Sequence, residues 1–335
     1  MPSSAEKIKT AKRERPSGAN APWKLRRAGG VQALQAPALA RLEWLVHGFS
    51  TRQGGASRIE SARPTTKGTL NMGFTDWDSR DNVTQNREKF ARAIGAERMP
   101  MRTLRQIHSD IVRRADAAQN AAQDIPNGDA LVAREAGILL AVQTADCVPI
   151  LLADTKRRAI AAIHSGWRGT LARIAAKTIG RMRMEFGTKP ADVLAALGPG
   201  VGRCCFEVGA EVAKEFAAQF PEARQWFDGP FDALASGEND PNWLPWLTMM
   251  PPGHPPPAPR AHLDLIAANR AILEAAGVPA ANISASGYCT ACRTDLFFSY
   301  RREGTTGRMM AAIAMTQRAR RSPQESILDG AIRLI

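Results

Sequence analysis

The fold is decided by residues 137–170, GILLAVQTADCVPILLADTKRRAIAAIHSGWRGT. This stretch contains three short apolar runs, GILLAVQTADC, VPILLAD and AIAAIH, and each run ends in polar residues. Runs of this length without alternating polar positions are typical of strands that are buried on both faces. Cys147 therefore lies between two predicted buried strands, and His164 lies where a third one ends.

Further elements are predicted on both sides of this centre. A helix is expected to begin at Ser165–Gly166 and to end at Gly187. Residues 81–95 predict a second helix, with Asp81 or Asn82 as its cap, and a third helix begins at Asp264 and ends at Gly277. Strands are expected at 42–49, around the QIHSD turn, at 192–200 and near the end of the chain.

The bulk composition narrows the class of protein. The 335 residues fit two average domains or one large α/β or α+β domain, and 44% of them are hydrophobic, which is ample for a core. Five cysteines are an odd number, which favours reduced thiols over a disulfide framework. Neither a run of about 20 apolar residues nor a secretory signal is recognised. We therefore expect a cytoplasmic protein without a membrane partner.

The formal net charge of +13 is concentrated towards the two ends of the chain. Neither end alternates basic with aromatic residues, so nucleic-acid binding is disfavoured, although a basic non-enzymatic nucleic-acid-binding module remains an alternative. We predict a disordered basic extension at 1–40 and a basic tail at 317–335. The catalytic domain between them is expected at 41–316, with a proline-rich surface excursion at 228–260.

His108, Cys147 and His164 form a candidate metal site. One thiolate and two imidazoles are a complete three-ligand set for catalytic zinc, whose fourth position is left to water or substrate. The separations along the chain are too long for a zinc-finger knuckle, so only the fold can bring the three residues together.

Ten ordered strings carry a likeness to a known family. They are HGFSTRQGG, TLNMGF, DNVTQNR, QIHSD, TADCVPILLAD, AAIHSGWRGT, LGPGVGRCCFEVG, HLDL, CTAC and FFSYRREGTTGR. From about Trp44 to about Ala314 the chain resembles the laccase-domain family, which comprises peptidoglycan editing factors and multifunctional purine nucleoside phosphorylases, formerly described as multicopper polyphenol oxidases. Departures are QIHSD where Gly usually follows the His, HSGWRG for HAGWRG, and the proline-rich stretch. None of them removes a metal ligand.

This resemblance implies a fold, a metal and an activity. The implied fold class is α+β: a single domain with two central mixed β-sheets sandwiched by helices in α/β/β/α layers. The implied metal is zinc, held by His108, Cys147 and His164. The implied reaction is phosphorolysis of adenosine, inosine, guanosine or methylthioadenosine to base and ribose 1-phosphate, with adenosine deamination as a second activity. Nucleoside and phosphate are therefore the expected partners, and the oligomeric state stays open.

Phosphorolysis requires cations that bind phosphate. Arg52 and Arg168 are the candidates because a guanidinium presents a fork that suits phosphate oxygens. Asn71 is a weaker candidate for contact with sugar or base, since an Asn beside Gly is often only a turn residue.

Two other roles for the cysteines are weighed. Cys147 beside two histidines could be a thiolate nucleophile, which would suit an amidase or peptidase that edits peptidoglycan precursors. Cys289 and Cys292 form a C-x-x-C pair, but a second such pair is absent, so buried structural thiols are favoured over a redox or metal knuckle.

The histidine count argues against a laccase mechanism. A Cys with two His also matches a copper centre, but a multicopper oxidase requires several further histidine-rich sites and the chain has 5 histidines. Copper binding at this site is therefore expected to be adventitious.

Overall fold

A computed structural model describes residues 22–59, 66–116, 118, 125–236 and 260–316. The strands are β1 (Lys24–Ala28), β2 (Val31–Gln35), β3 (Leu45–Ser50), β4 (Gln53–Ile59), β5 (Thr66–Thr69), β6 (Met101–Arg102), β7 (Val112–Arg114), β8 (Ala130–Ala133), β9 (Leu139–Thr144), β10 (Val148–Asp154), β11 (Ala159–Ser165), β12 (Val193–Leu197), β13 (Glu207–Val208), β14 (Phe227–Asp228), β15 (Ala261–Leu263), β16 (Ile283–Ala285) and β17 (Met309–Met315). The α-helices are α1 (Pro37–Ala40), α2 (Arg80–Ile94), α3 (Trp167–Leu171), α4 (Ile174–Phe186), α5 (Ala210–Gln219), α6 (Phe231–Ser236), α7 (Leu265–Ala275) and α8 (Tyr300–Glu303). Short 3-10 helices span Pro190–Asp192, Ala223–Trp226 and Ala280–Asn282.

Two six-stranded mixed sheets form the centre of the protein. The first has the strand order β1-β2-β3-β17-β9-β6, and the second has the order β16-β12-β10-β11-β8-β7. Each contains both kinds of pairing: β6 is parallel to β9, β7 to β8, and β12 to β16, whereas the remaining pairs are antiparallel. Two smaller sheets, β13-β15-β14 and β4-β5, lie outside this pair.

Strand β11 shows how the layers are held together. Ile160 and Ala162 point into the apolar cluster between the two sheets, whereas Ala161 and Ile163 point into the cluster under α4, α5 and α7. This period of two is the geometry of a strand, and both faces are apolar because both are covered. Burying each isoleucine contributes about 1.5–3 kcal/mol. Helix α2 covers the outer face of the first sheet, so the predicted α/β/β/α layers are confirmed.

The helix ends follow from their capping residues, with two corrections. Asp264 caps α7 as predicted, because its side chain accepts a hydrogen bond from the backbone N–H of Ala267. The cap of α2 is Ser79 and not Asp81 or Asn82. The helix predicted from Ser165 to Gly187 is interrupted at Arg173, whose backbone adopts a left-handed conformation with φ 56°, so α3 and α4 are separate.

The predicted boundary of the N-terminal extension is wrong. Within residues 22–40, strands β1 and β2 form a hairpin, and β2 pairs with β3 at the edge of the first sheet. Val31 and Leu34 are fully buried because they pack on either face of that sheet. Residues 1–21 and the predicted tail at 317–335 lie outside the described residues.

The predicted excursion at 228–260 also begins too early. Asp228 ends β14, and Phe231 opens α6 with its ring packed against Phe227 at a centroid distance of 4.5 Å. Phe227 and Phe231 belong to the core under α5. The remainder of the predicted excursion lies outside the described residues, apart from Arg260. Among the described helices, none has the length and apolar character to cross a membrane.

Candidate metal centre and pocket

The fold brings His108, Cys147 and His164 together. Their candidate ligand atoms all lie within 4.8 Å of one another, and the two imidazole rings are 5.0 Å apart between centroids at an angle of 75°. Metal bonds of about 2.0–2.3 Å in a tetrahedron would place such atoms about 3.3–3.8 Å apart. The residues therefore fit one zinc-sized ion after small side-chain movements.

The three residues come from two strand ends and one turn. His164 lies near the end of β11, where it pairs in register with Pro149 of β10. Cys147 immediately precedes β10, and His108 lies in the turn between β6 and β7 with φ 58°. A non-glycine residue in the left-handed region is uncommon, and such strain concentrates at functional sites.

Gly166 leaves room for the side chains of Cys147 and His108. A Cβ atom at this position would lie 2.8 Å from the sulfur of Cys147 and 3.3 Å from Cδ2 of His108. No ordinary contact is as short as 2.8 Å, so a larger residue would displace the thiol. The small residue in the HSGWRG string therefore has a steric reason.

Asp129 orients two of the three candidate ligands, and sequence reasoning missed it. Its buried carboxylate accepts hydrogen bonds from the backbone N–H groups of Ile107, His108 and Ser109, and a further one from the Ser109 hydroxyl. The same carboxylate is 2.9 Å from Nδ1 of His164. That contact places the Nδ1 proton on the carboxylate side and leaves Nε2 to accept a metal ion. In the sequence Asp129 is only a single Asp before a buried strand, and this pattern does not indicate that it orients His108 and His164.

The side chains of Cys147, His164 and Asp129 shift one another's pKa values. Although burial opposes it, the charge of His164 and the hydrogen bonds from both imidazoles lower the pKa of Cys147 to about 6. Burial likewise opposes the change at His164, but the neighbouring thiolate and the Asp129 carboxylate raise the pKa of His164 to about 9. For Asp129, hydrogen bonds from His164 and Ser109 outweigh burial and lower the pKa to about 2. The site thus stabilises a thiolate, the form of Cys that binds metals.

Asp146, the residue before Cys147, helps to fix the position of that cysteine. Its backbone is left-handed, with φ 98°, and three contacts hold it there: its side chain accepts hydrogen bonds from the Thr290 hydroxyl and the Arg301 N–H, each at 2.6 Å, and its carbonyl accepts one from Val201 at 2.7 Å. These bonds join the candidate ligand to two distant loops.

The candidate ligands lie in the wall of a cavity of about 830 Å³. Its volume is within the range of small-molecule sites. The lining combines aromatic rings, arginines and polar side chains: Leu104, Gln106, His108, Gln143, Thr144, Ala145, Asp146, Cys147, His164, Trp167, Arg168, Val201, Phe206, Leu265, Tyr300, Arg301 and Arg308. Such a lining suits a ligand with an aromatic and an anionic part.

Of the predicted substrate-binding residues, only Arg168 lines this cavity. Its guanidinium lies 4.3 Å from the centre of the Trp167 ring, and the residue is exposed at the start of α3. Arg301 and Arg308 also line the cavity, and sequence reasoning missed both. They stand in FFSYRREGTTGR, where nothing in the string distinguished them from the neighbouring Arg302.

Arg52 is a correction. Its guanidinium is buried, forms a 2.7 Å ion pair with Glu303, and donates to the carbonyl oxygens of Thr294 and Phe297. A guanidinium directed at these protein acceptors braces the loop that precedes α8. The prediction that it binds phosphate is therefore not supported.

Asn71 is also a correction. Its side chain is fully buried and bonds to the backbone of Gly73, to the carboxylate of Asp78 and to the N–H of Arg308. These contacts fix a turn beside the first sheet. Asn71 affects the cavity only through the position of Arg308.

Comparisons with known proteins identify the family of this chain. A sequence model of the family described as multi-copper polyphenol oxidoreductase laccase matches residues 46–316. The purine nucleoside phosphorylase of Deinococcus radiodurans is 37% identical over 292 residues, which are 87% of this chain and 96% of that protein. The adenosine deaminase RL5, from an unknown prokaryotic organism, is 40% identical over 186 residues, 55% of this chain and 61% of that protein.

A solved structure has the same fold. The crystal structure of the hypothetical protein YfiH from Bacillus licheniformis has a TM-score of 0.71 at 26% identity, and the similarity covers 88% of this chain and 99% of that one. The strings found in the sequence thus agree with matches over most of the chain in both sequence and structure. The chain belongs to the multi-copper polyphenol oxidoreductase laccase family, which confirms the resemblance found in its sequence.

Proposed function

We propose that the protein is a zinc-dependent purine nucleoside phosphorylase with adenosine deaminase activity. The observation that carries the proposal is the position of the His108, Cys147 and His164 group, in the wall of a cavity that also presents aromatic rings and arginines. The names of the similar proteins from Deinococcus radiodurans and of RL5 agree with the two activities.

The three residues would hold zinc through one sulfur and two nitrogen atoms. Three protein ligands are the pattern of catalytic sites, and a bound zinc ion supplies Lewis-acid chemistry at the position left open. Asp129 keeps His164 in the tautomer that can bind the ion. Gly166 keeps the approach to Cys147 free of side-chain atoms.

The remaining side chains of the cavity would bind the two substrates. Phosphate carries negative charge that Arg168, Arg301 and Arg308 are able to neutralise, with Arg308 the least exposed of the three. A purine is a flat aromatic ring, for which Phe206 and Tyr300 offer apolar surface. In phosphorolysis, phosphate oxygen attacks the anomeric carbon of the ribose while the base departs, so arginines that fix phosphate next to the nucleoside supply orientation and charge stabilisation.

Phosphate dependence tests the proposal. Inosine, adenosine, guanosine and methylthioadenosine are each incubated with the purified protein, with and without phosphate. The free base and the sugar 1-phosphate are quantified, the latter being ribose 1-phosphate from the first three and 5-methylthioribose 1-phosphate from the last. Base and sugar 1-phosphate are expected only with phosphate, while ammonia from adenosine is expected in both conditions. Release of base at the same rate without phosphate would contradict phosphorolysis, and no turnover of any nucleoside would remove the proposal.

One observation favours a second function, an amidase or peptidase that acts on peptidoglycan precursors. The low pKa of Cys147, about 6, and its contact with two imidazoles also suit a thiolate nucleophile. Such an enzyme would form a thioester on Cys147 and would keep its activity after metal removal. Mass spectrometry of the protein incubated with a precursor peptide, before and after treatment with a chelator, separates this function from the first.

A further inference from the structure

We propose that Cys204, Cys205, Cys289 and Cys292 form a second metal site, which binds one thiophilic divalent ion of the zinc type. The ion would join the loop of Val201 and Phe206, which line the cavity, to the loop that carries Cys289 and Cys292. We call the four cysteines the four-cysteine cluster. It contains every cysteine of the chain except Cys147, and none of the five forms a disulfide. The proposal does not depend on the nucleoside chemistry proposed above.

The sulfur atoms have the spacing of a tetrathiolate site. All four lie within 4.8 Å of one another, and that of Cys292 is 3.5 Å from Cys204 and 3.4 Å from Cys205. Zinc–sulfur bonds of about 2.3 Å would place the sulfur atoms about 3.8 Å apart in a tetrahedron. The sulfur atoms therefore need to move by at most about one ångström to accommodate one ion.

The two loops are shaped to present sulfur at this point. A turn at 202–206, in which the N–H groups of Cys205 and Phe206 both bond to the carbonyl of Gly202, brings two adjacent cysteines to the same third sulfur. The N–H of Gly202 donates to the sulfur of Cys289 at 3.2 Å, a contact that stabilises a thiolate. A Cβ atom on Gly202 would lie 3.1 Å from Cβ of Cys289, so glycine allows this close approach.

As thiolates, the four cysteines would need a cation other than the two arginines that flank them in the chain. The adjacent arginines are already paired, Arg203 with Asp228 at 3.0 Å and Arg293 with Asp295 at 2.8 Å. Cys204 and Cys292 are exposed, so an ion can enter from solvent. Four sulfurs leave no open coordination position, which is the pattern of a structural site.

The ion would act on the cavity through short connections. Thr290, next to Cys289, donates its N–H to the carbonyl of Gly200 and its hydroxyl to Asp146. Asp146 precedes Cys147 in the chain and accepts the N–H of Val201, which lines the cavity. Fixing the two loops to one ion therefore fixes the backbone on which Cys147 stands.

Metal content tests the site without any activity assay. The full-length protein is purified without chelators and its metals are measured by plasma mass spectrometry. Wild type is expected to carry two ions per chain, and Cys147→Ala and the double variant Cys204→Ser/Cys292→Ser are each expected to lose one. A double variant that keeps the metal content of wild type would overturn the proposal.

Cobalt and thiol titration keep the test decisive if the double variant does not fold. In the Cys147→Ala variant the only sulfur donors from cysteine are those of the cluster, so bound Co²⁺ is expected to show the absorption of tetrahedral thiolate coordination. Its four thiols are expected to resist a thiol reagent until a strong chelator is added. Immediate reaction of all four, a titration that finds disulfides, or cobalt without sulfur coordination would each overturn the proposal.

Discussion

The two groups of side chains that could hold a metal ion in this protein differ in the way they are supported. His108, Cys147 and His164 come from one turn and two strand ends, and all three line a large cavity. The buried Asp129 orients His108 and His164. The four-cysteine cluster is built on two loops, with half of its sulfurs exposed. Three ligands leave a position for chemistry, and four do not. The comparison predicts that damage to the first group abolishes turnover and that damage to the second loosens the structure around it.

The largest effect is expected from Cys147→Ala. Loss of the thiolate removes one of three ligands, and the several kcal/mol that a catalytic ion contributes correspond to a fall in kcat/KM of about 10³-fold or more. Cys204→Ser in the four-cysteine cluster is the control variant, and it is expected to lose far less activity than Cys147→Ala. The measurement is steady-state kinetics with inosine and phosphate. Equal losses of activity in the two variants would contradict the different roles assigned to Cys147 and to the four-cysteine cluster.

A smaller loss is expected from Asp129→Asn. The amide keeps one oxygen for the backbone N–H groups but removes the charge that fixes His164, and changes of this kind typically cost about 10–100-fold in metal affinity or activity. Asp154→Asn is the matched control, because Asp154 is equally buried and accepts the N–H groups of Lys156 and Arg157 at the far end of β10. Competition with a metal-binding dye should show weaker binding only for Asp129→Asn.

A still smaller effect is expected from Arg168→Gln. Loss of one charged hydrogen bond at an exposed position should raise the KM for phosphate about tenfold and leave the KM for nucleoside nearly unchanged. Arg52→Gln serves as the control, since Arg52 is paired with Glu303 and its loss should lower the thermal midpoint without changing the KM for phosphate. A raised KM for phosphate in Arg52→Gln, with no change in Arg168→Gln, would show that Arg52 and not Arg168 binds phosphate.

The smallest effect concerns thiol reactivity in protein from which metals have been removed. The pKa of Cys147 is about 6, since the charge of His164 and the imidazole hydrogen bonds outweigh burial, whereas burial and the bond to Cys292 raise the pKa of Cys204. Cys147 is then mostly thiolate at pH 7, but its low basicity weakens it as a nucleophile, so its rate should exceed that of an ordinary thiol by only about fivefold. The pH midpoint is therefore the better measure.

Alkylation with iodoacetamide, followed by peptide mass spectrometry from pH 5 to 10, gives that midpoint for each cysteine. Cys147 is expected to lose reactivity only as the pH falls through about 6, because its thiolate form persists above that value. Cys204 is expected to react only in alkaline solution. Coinciding midpoints would show that the histidines do not set the charge of Cys147.

The central sheets could be predicted from the sequence because their signal is local. In β10 and β11 every residue is buried, and a continuous apolar run between turn residues is typical of a strand that is covered on both faces. The edge hairpin β1–β2 was missed because KLRRA is mostly exposed and VQALQ alternates too briefly to stand out among basic residues. Edge strands depend on the adjacent strand for stability, and the sequence pattern does not show which strand that is.

The side chains of the site were predictable in type but not in partnership. Cys and His are the residue types that most often bind zinc, so His108, Cys147 and His164 could be proposed as a group from the sequence. The partner of Arg52 is Glu303, 251 residues away, and the partner of Cys205 is Cys292, 87 residues away. Asp129 acts only through His164 and the turn that carries His108, so its role emerges when the turn and the strand are seen together.

The hairpin of β1 and β2 has a practical consequence for anyone who produces shortened versions of this protein. A fragment cut to the family match at residue 46 would begin inside β3 and lose both strands that cover its edge. It would also lose Trp23, whose ring lies 5.2 Å from that of Phe49. An uncovered, apolar strand edge favours pairing between molecules, so such a fragment is expected to aggregate. A fragment that begins at residue 22 keeps both β1 and β2.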